Sequence, residues 1–265
     1  MKKILLSLIL VLFIATSFYK NEIHPKSVSE NQPKVSTDSL NHKSVENPKA
    51  NTISAAAEIY ESIDFKSSNI LRAEVFEKAY RGFNNLKKAG KLDADSHLLS
   101  IGDFSLSSTQ KRLWIIDLNE RKVLFNSLVA HGKNTGEEFA KNFSNRESSY
   151  QSSLGFYVTE STYNGNNGFS LKLLGMDRGF NDNATQRAIV MHGADYVSED
   201  FIRSQNRIGR SWGCPAVPRA LAEPIINTIK GKNCLFIYYP DQDFLSKSVW
   251  LKDDLESEDG LPNFN

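Results

Sequence analysis

Thiol and imidazole chemistry rests on few residues in this chain, which has two cysteines and five histidines in 265 positions. One of each falls in a single stretch, MHGADYVSEDFIRSQNRIGRSWGCPAVP, residues 191–218. A thiol becomes a useful nucleophile when its pKa is lowered or a base stands beside it. The usual base is histidine, whose unperturbed pKa of about 6.5 lets it take and return a proton near neutrality. His192 closes the apolar run AIVMH, where a strand can hold its backbone firm while the side chain emerges at a sheet rim. Gly193 leaves room for a backbone carbonyl to reach the imidazole, or for a sharp turn. At the other end, Gly213 permits backbone angles that other residues avoid, and Pro215 pushes Cys214 away from helical angles. The spacing predicts a nucleophile, Cys214, on a tight turn and a base, His192, on a strand end. Amides around Gly213 and Cys214 are the candidates to meet a tetrahedral oxyanion.

Other readings of the same residues stay open at this level. His131, in VAHGK, also precedes a glycine at a strand end and could be the base, a substrate contact or a turn residue. Cys214 and Cys234 could pair as a disulfide in an oxidising compartment, although Cys234 opens the strand-like CLFIYY, where a small buried hydrophobe is the simpler reading. A zinc site from His131, His192 and Cys214 lacks metal-type spacing. Arg210 could bind a substrate carboxylate, Trp212 could line a cleft or pack, and Ser211 could support the turn. Asp177, Asp182 and Asn183 could hold a loop together through side-chain turns.

The elements that must position these residues are mostly strands. HLLSIGDF, RLWIIDL, KVLFNSLVA, LGFYVTE, FSLKLLGM, RAIVMHG and CLFIYYP are short β-branched or aromatic runs separated by turn residues. DLNERKV and YNGNNG read as connections between strands. SEDFIRSQN reads as a short helix capped by Ser198, and PRALAEPIINTIKG as a helix that Pro224 should kink or split. Upstream, AAAEIYESI suggests a short helix. SNILRAEVFEKAYRGFNNLKKAGKL repeats Leu71, Val75, Phe76, Ala79, Tyr80, Phe83 and Leu86 at helical spacing, with Ser68 or Asn69 as cap and Gly90 as stop. The fold class predicted is mainly β, a β-sandwich or barrel-like domain with short helices and an N-terminal helical segment.

Residues 1–17, MKKILLSLILVLFIATS, have the parts of a secretory signal: a basic start, a short apolar run and small residues at the end. Residues 18–52 are Ser-, Asn-, Lys- and Pro-rich, the composition of a disordered linker. Residues 53–95 are expected to form a helical prelude, 96–245 the strand-rich domain that holds His192 and Cys214, and 246–265 a polar tail. Net charge is +1, with no basic stripe, which argues against nucleic acid as a partner.

HG at 192–193, IG at 208–209 and SWGC at 211–214, preceded by VAHGKNTG and SSLGFYV, resemble the catalytic domain of murein L,D-transpeptidases of the YkuD type, in a divergent branch. The resemblance covers roughly residues 98–240. In that pattern His-Gly is followed by Ser-x-Gly-Cys, and SSLGFY, Ser152 to Tyr157, looks like the Thr-Pro-x-Gly-x-Phe loop. The pattern usually continues past cysteine with an apolar residue and arginine. This chain reads Cys-Pro-Ala-Val-Pro, with Arg219 too far along to be equated. The resemblance implies an exported enzyme, in the periplasm or cell wall, acting on peptidoglycan stem peptides. Cys214 would attack the third residue's carbonyl, release the terminal D-alanine and pass the acyl group to an amine, making a 3→3 cross-link, or to water, as an L,D-carboxypeptidase. It further implies no metal or organic cofactor; Ser211, Trp212, Arg210, His131 and Tyr157 are the candidate substrate contacts, with Gly193 and Gly213 in an oxyanion or orienting role. A membrane tether follows only if the signal stays uncleaved. Outside the enzyme class, the alternative is a non-catalytic wall-binding module with structural cysteines.

Overall fold

A computed structural model describes residues 48–253, with side chains from residue 55. The expected signal segment, most of the expected linker and residues 254–265 of the expected tail lie outside the described residues.

All the expected strands form, and an additional one appears. β1 (Leu98–Asp103), β2 (Leu113–Asp117), β3 (Lys122–Ser127), β4 (Gly155–Gly165), β5 (Gly168–Gly175), β6 (Val190–Ala194), β7 (Ala216–Pro218) and β8 (Cys234–Tyr238) make one sheet in the order β3-β2-β1-β8-β4-β5-β6-β7. The pairs β1–β8 and β6–β7 are parallel and the others antiparallel. β7 has three residues, the last of them Pro218 and preceded by Pro215, too short a run to show periodicity. The sheet curls until its ends meet. Just past β3, Ala130 bridges Ala216 of β7 at the opposite edge, its N–H donating to the Ala216 carbonyl at 2.8 Å. The result is a barrel-like single sheet and not a two-layer sandwich.

α1 (Pro48–Ser62) begins inside the stretch expected to be linker. α2 (Ala73–Lys88) buries Val75, Phe76, Ala79, Phe83 and Leu86, the spacing of one helix face. It lies so close to β4 that a Cβ on Gly82 would fall 2.0 Å from the Phe156 ring, so the prelude is part of the domain core. Neither Ser68 nor Asn69 caps α2, whose N-cap is Arg72 without a side-chain bond. Asn69 instead ties this segment to the sheet, its carbonyl accepting from Trp114 Nε1 at 2.7 Å and its N–H donating to Asn126. Gly90 ends the helix in the left-handed region, φ +65°.

α3 (Glu199–Gln205) is capped by Ser198 as expected, the Phe201 N–H donating to its hydroxyl. α4 (Arg219–Ile229) runs through Pro224 as one helix. Ala220, whose carbonyl loses its partner there, and Pro224 are both exposed, so water can satisfy the freed group. Ala222, Ile225, Ile226 and Ile229 meanwhile hold the other face on the sheet.

The tail starts later than expected. After α5 (Gln242–Lys247), a 3₁₀ turn at Val249–Leu251 buries Trp250 completely, with its indole N–H on the Met176 carbonyl at 2.6 Å. Ser248 donates to one oxygen of buried Asp177, and the Phe156 amide donates to the other at 2.6 Å. Asn181 closes this knot by accepting from the Asp177 N–H and donating to the Phe156 carbonyl. Asp182 and Asn183 brace the same loop against Asn145.

Burial pushes the Asp177 carboxyl up to about 7, against the Ser248 and Phe156 hydrogen bonds that favour its anion. An unfolded chain releases that proton near pH ~3.9, so the native state binds more protons between about pH 4 and 7. The stability Asp177 contributes is therefore full below about pH 4 and lost as pH rises through about 7. Thermal unfolding across this range should show the Tm of wild type, measured relative to Asp177→Asn, falling as pH rises. A pH-independent difference would contradict the assignment.

Candidate active site

The barrel seam builds the turn that carries Cys214. Beyond the Ala130–Ala216 bridge, Gly132 pairs with Ser211. The Ser211 N–H donates to the His131 carbonyl at 3.0 Å, and the Lys133 N–H to the Ser211 carbonyl at 2.8 Å. The Ser211 hydroxyl then spans the turn, donating to the Cys214 carbonyl at 2.6 Å and accepting from the Gly213 N–H at 3.0 Å. Ser152 stitches a third segment to the first two, accepting from the Gly132 N–H and donating to the Gly213 carbonyl, at 3.0 and 3.1 Å. Two glycines make this packing possible. A Cβ on Gly132 would lie 2.5 Å from the Tyr150 carbonyl oxygen and 3.0 Å from the Gly213 Cα. Gly213 has φ +127°, and a Cβ there would meet the Gln151 carbonyl oxygen at 2.7 Å.

Cys214 is partly exposed and Cys234 is buried, and both are free thiols. The two cannot be a disulfide, since Cys234 sits in β8 between β1 and β4, well along the sheet from β7. The thiol rests against the start of β6, with the Val190 N–H directed at Sγ at 3.5 Å and the Ala188 carbonyl at 3.8 Å. His192 lies two residues beyond Val190 on the same strand, with its side chain on the same face as that of Val190. Two strand residues span roughly 6.6 Å. The imidazole Nδ1 is 3.1 Å from the Gly193 carbonyl. A carbonyl can only accept, so Nδ1 carries the proton and Nε2 the free lone pair.

Burial lowers the His192 pKa, opposed by the Gly193 carbonyl and assisted by the Arg219 charge. Burial raises the Cys214 pKa, opposed by the Val190 amide, the Arg187 charge and the residue's own amide. Both shifts favour the neutral forms of the thiol and the imidazole.

A model of the L,D-transpeptidase catalytic domain matches residues 67–238. The chain belongs to that family. A sequence comparison with curated proteins found no match. Among solved structures, an L,D-transpeptidase from Mycobacterium smegmatis is 10% identical with a TM-score of 0.34, the similarity covering 54% of this chain and 59% of that one. The helical cell shape determining protein from Campylobacter jejuni is 14% identical with a TM-score of 0.36, covering 66% and 62%. An L,D-transpeptidase from Stackebrandtia nassauensis is 10% identical with a TM-score of 0.34, covering 72% and 92%. The chain thus spans less than two thirds of the length of the first two.

Within this family member the expected site residues divide. Ser211, 4% exposed, is spent on bracing the turn. Trp212 is 73% exposed and tilts against Tyr150, with ring centroids 5.6 Å apart. These rings wall a depression of about 230 Å³ that Arg187 and Ala188 also line. Arg210 is committed to the Glu137 carboxylate and to the Lys133 and Gly136 carbonyls, so it is not a free carboxylate binder. His131 is buried with both ring nitrogens engaged, which removes it as a base. Tyr157 is a core residue and not a substrate contact, its hydroxyl donating to the Ser153 carbonyl. Gly193 packs closely on α4, where an added Cβ would strike Ala222 at 2.8 Å. The Gly213 N–H donates to the Ser211 hydroxyl and is not free to meet an oxyanion.

Sequence reasoning missed residues that reach the site from elsewhere. Arg187 spreads its guanidinium over the Ser144 and Gln151 carbonyls and the Ser149 and Ser153 hydroxyls, and its charge opposes the upward shift of the thiol. Tyr196 is close enough for Cys214 to help raise its hydroxyl to about 12, after burial. Arg219, set aside on sequence distance, acts on His192 from the first turn of α4. No local motif marks these residues; only the meeting of β6, α4 and the 144–153 loop does.

Ser152→Ala should leave the Gly132 N–H and Gly213 carbonyl buried without partners, at a cost of about 1–3 kcal/mol. Denaturant unfolding should register that loss, and iodoacetamide labelling of Cys214 should slow as the turn shifts. Wild-type values in both measurements would show that the bridge holds nothing.

Proposed function

We propose that the chain is an exported cysteine L,D-transpeptidase acting on peptidoglycan stem tetrapeptides. The observation that carries the reading is the thiol held by Val190 at the head of the strand that bears His192, with Nδ1 spent on Gly193 and Nε2 left basic. The family match and the signal-like residues 1–17 support it.

With the neutral form of each group favoured, the order of proton movements follows. As Sγ attacks the carbonyl carbon of the third stem residue, its proton passes to His192 Nε2 and the oxyanion takes the Cys214 amide. Collapse breaks the bond to the terminal D-alanine, whose amine leaves with the proton from Nε2. The resulting thioester is attacked by an amine of a second stem, which gives its proton to Nε2. Expulsion of the sulfur then yields the cross-link and restores the thiol with that proton. Water in place of the amine would give a tripeptide.

Incubation with disaccharide-tetrapeptide followed by mass analysis should give the cross-linked dimer with loss of D-alanine. Cys214→Ala should abolish it, and His192→Gln should lower both turnover and iodoacetamide labelling by about 10²–10⁴-fold. Tripeptide alone would replace the transferase with a carboxypeptidase, and an inert thiol in wild type would leave only a wall-binding module. Because burial lowers the imidazole pKa, activity should persist as pH falls through the ordinary histidine range and fail only below it. An acid limb at or above that range would sink the assignment of His192 as a neutral base.

A further inference from the structure

The seam contains a buried charge that the reaction does not use. Arg112, at the head of β2, is wholly buried, yet no carboxylate forms an ion pair with it among the described residues. It donates to the Leu106 carbonyl at 2.7 Å, to the Val129 carbonyl at 3.0 and 3.3 Å, and to His131 Nδ1 at 2.8 Å. Phe104 covers both partners, 4.8 Å from the guanidinium and 6.1 Å from the imidazole centroid. A guanidinium only donates, so Nδ1 accepts and Nε2 carries the hydrogen, which it gives to the Gly136 carbonyl at 3.2 Å. The His131 backbone then continues into the nucleophile turn, its carbonyl accepting from Ser211, whose hydroxyl holds both Gly213 and Cys214.

We propose that Arg112 and His131 are positioning residues, a proton-inert strut that sets the Cys214 turn through the His131–Ser211 backbone bond. An apolar pair could fill the same volume without the cost of desolvating a cation. What it could not do is fix the carbonyls of 106, 129 and 136 and one imidazole face in a single arrangement. Burial and the Arg112 charge push His131 down to about 3, so the ring stays neutral and unavailable to the thiol. Burial brings Arg112 down to about 9, opposed by the Asp103 charge, so it is still charged at neutrality.

The inference rests on the proposed transferase reading, and its test includes a readout that does not. In full-length protein, His131→Leu should slow iodoacetamide labelling of Cys214 and lower kcat on disaccharide-tetrapeptide by about 100-fold, with KM unchanged. His131→Gln, whose amide can accept from Arg112 and donate to Gly136, should recover most of both and keep the wild-type pH profile. Wild-type labelling by the leucine variant would overturn the strut. So would a glutamine variant as slow as the leucine one, which would assign His131 a proton to transfer. If the leucine variant fails to fold, imidazole ¹⁵N shifts of the wild type decide. A neutral Nε2–H ring that does not titrate from pH 5 to 8 supports the strut, and titration in that window overturns it. Rapid wild-type labelling without turnover of the tetrapeptide would fail the substrate reading alone and leave the labelling comparison to decide the strut.

Discussion

The backbone contact between Ala130 and Ala216, where the sheet meets itself, governs the candidate site. An open sheet of this strand order would leave β3 and β7 at opposite edges. Closure places the segment after β3 beside the segment before β7, and the nucleophile turn lies in that join. The join admits little side chain, which is why Gly132 faces Gly213 and small residues surround them. Leu128, Ala130, Ala194, Val197, Ile208 and Ala216 form a second, smaller apolar cluster there, apart from the main core. Their burial supports the turn at Ser211–Cys214.

Burial also sets the electrostatics of the site. It raises the thiol and lowers the imidazole, so the neutral form of each is favoured. Two arginines modulate this from opposite sides. Arg187 favours the thiolate while its hydrogen bonds hold the 144–153 loop, and Arg219 disfavours a charged His192. His131 and His192 have the same local sequence context, each ending an apolar run and followed by glycine. Their roles part because one imidazole meets a buried guanidinium and the other only the Gly193 carbonyl.

Much of the fold was legible from the chain because its signals are local. Alternation and β-branched runs placed the main strands, spacing placed α2, and Ser198 placed the start of α3. The departures arose where distant groups decided the outcome. Asn69 was drawn to Trp114 and Asn126 and did not cap α2. Pro224 was tolerated because it faces solvent. The supposed tail was claimed by Asp177 and Met176, which bind Ser248 and Trp250. β7 gave no readable pattern in three residues, yet it closes the barrel.

For the site, residue types and spacing determined the nucleophile and base candidates, the turn at Gly213 and the family resemblance, because each depends on neighbours in sequence. They could not apportion His131, Arg210, Ser211 and Tyr157, since a side chain's task depends on what occupies its other bonds. Only the tertiary structure showed those bonds as filled, brought Ser152, Arg187 and Arg219 to the site, and kept Cys234 away from Cys214. The physical reason is closure. Hydrogen bonds across the seam join residues some eighty positions apart, Ala130 to Ala216 among them, and no window along the chain contains both partners.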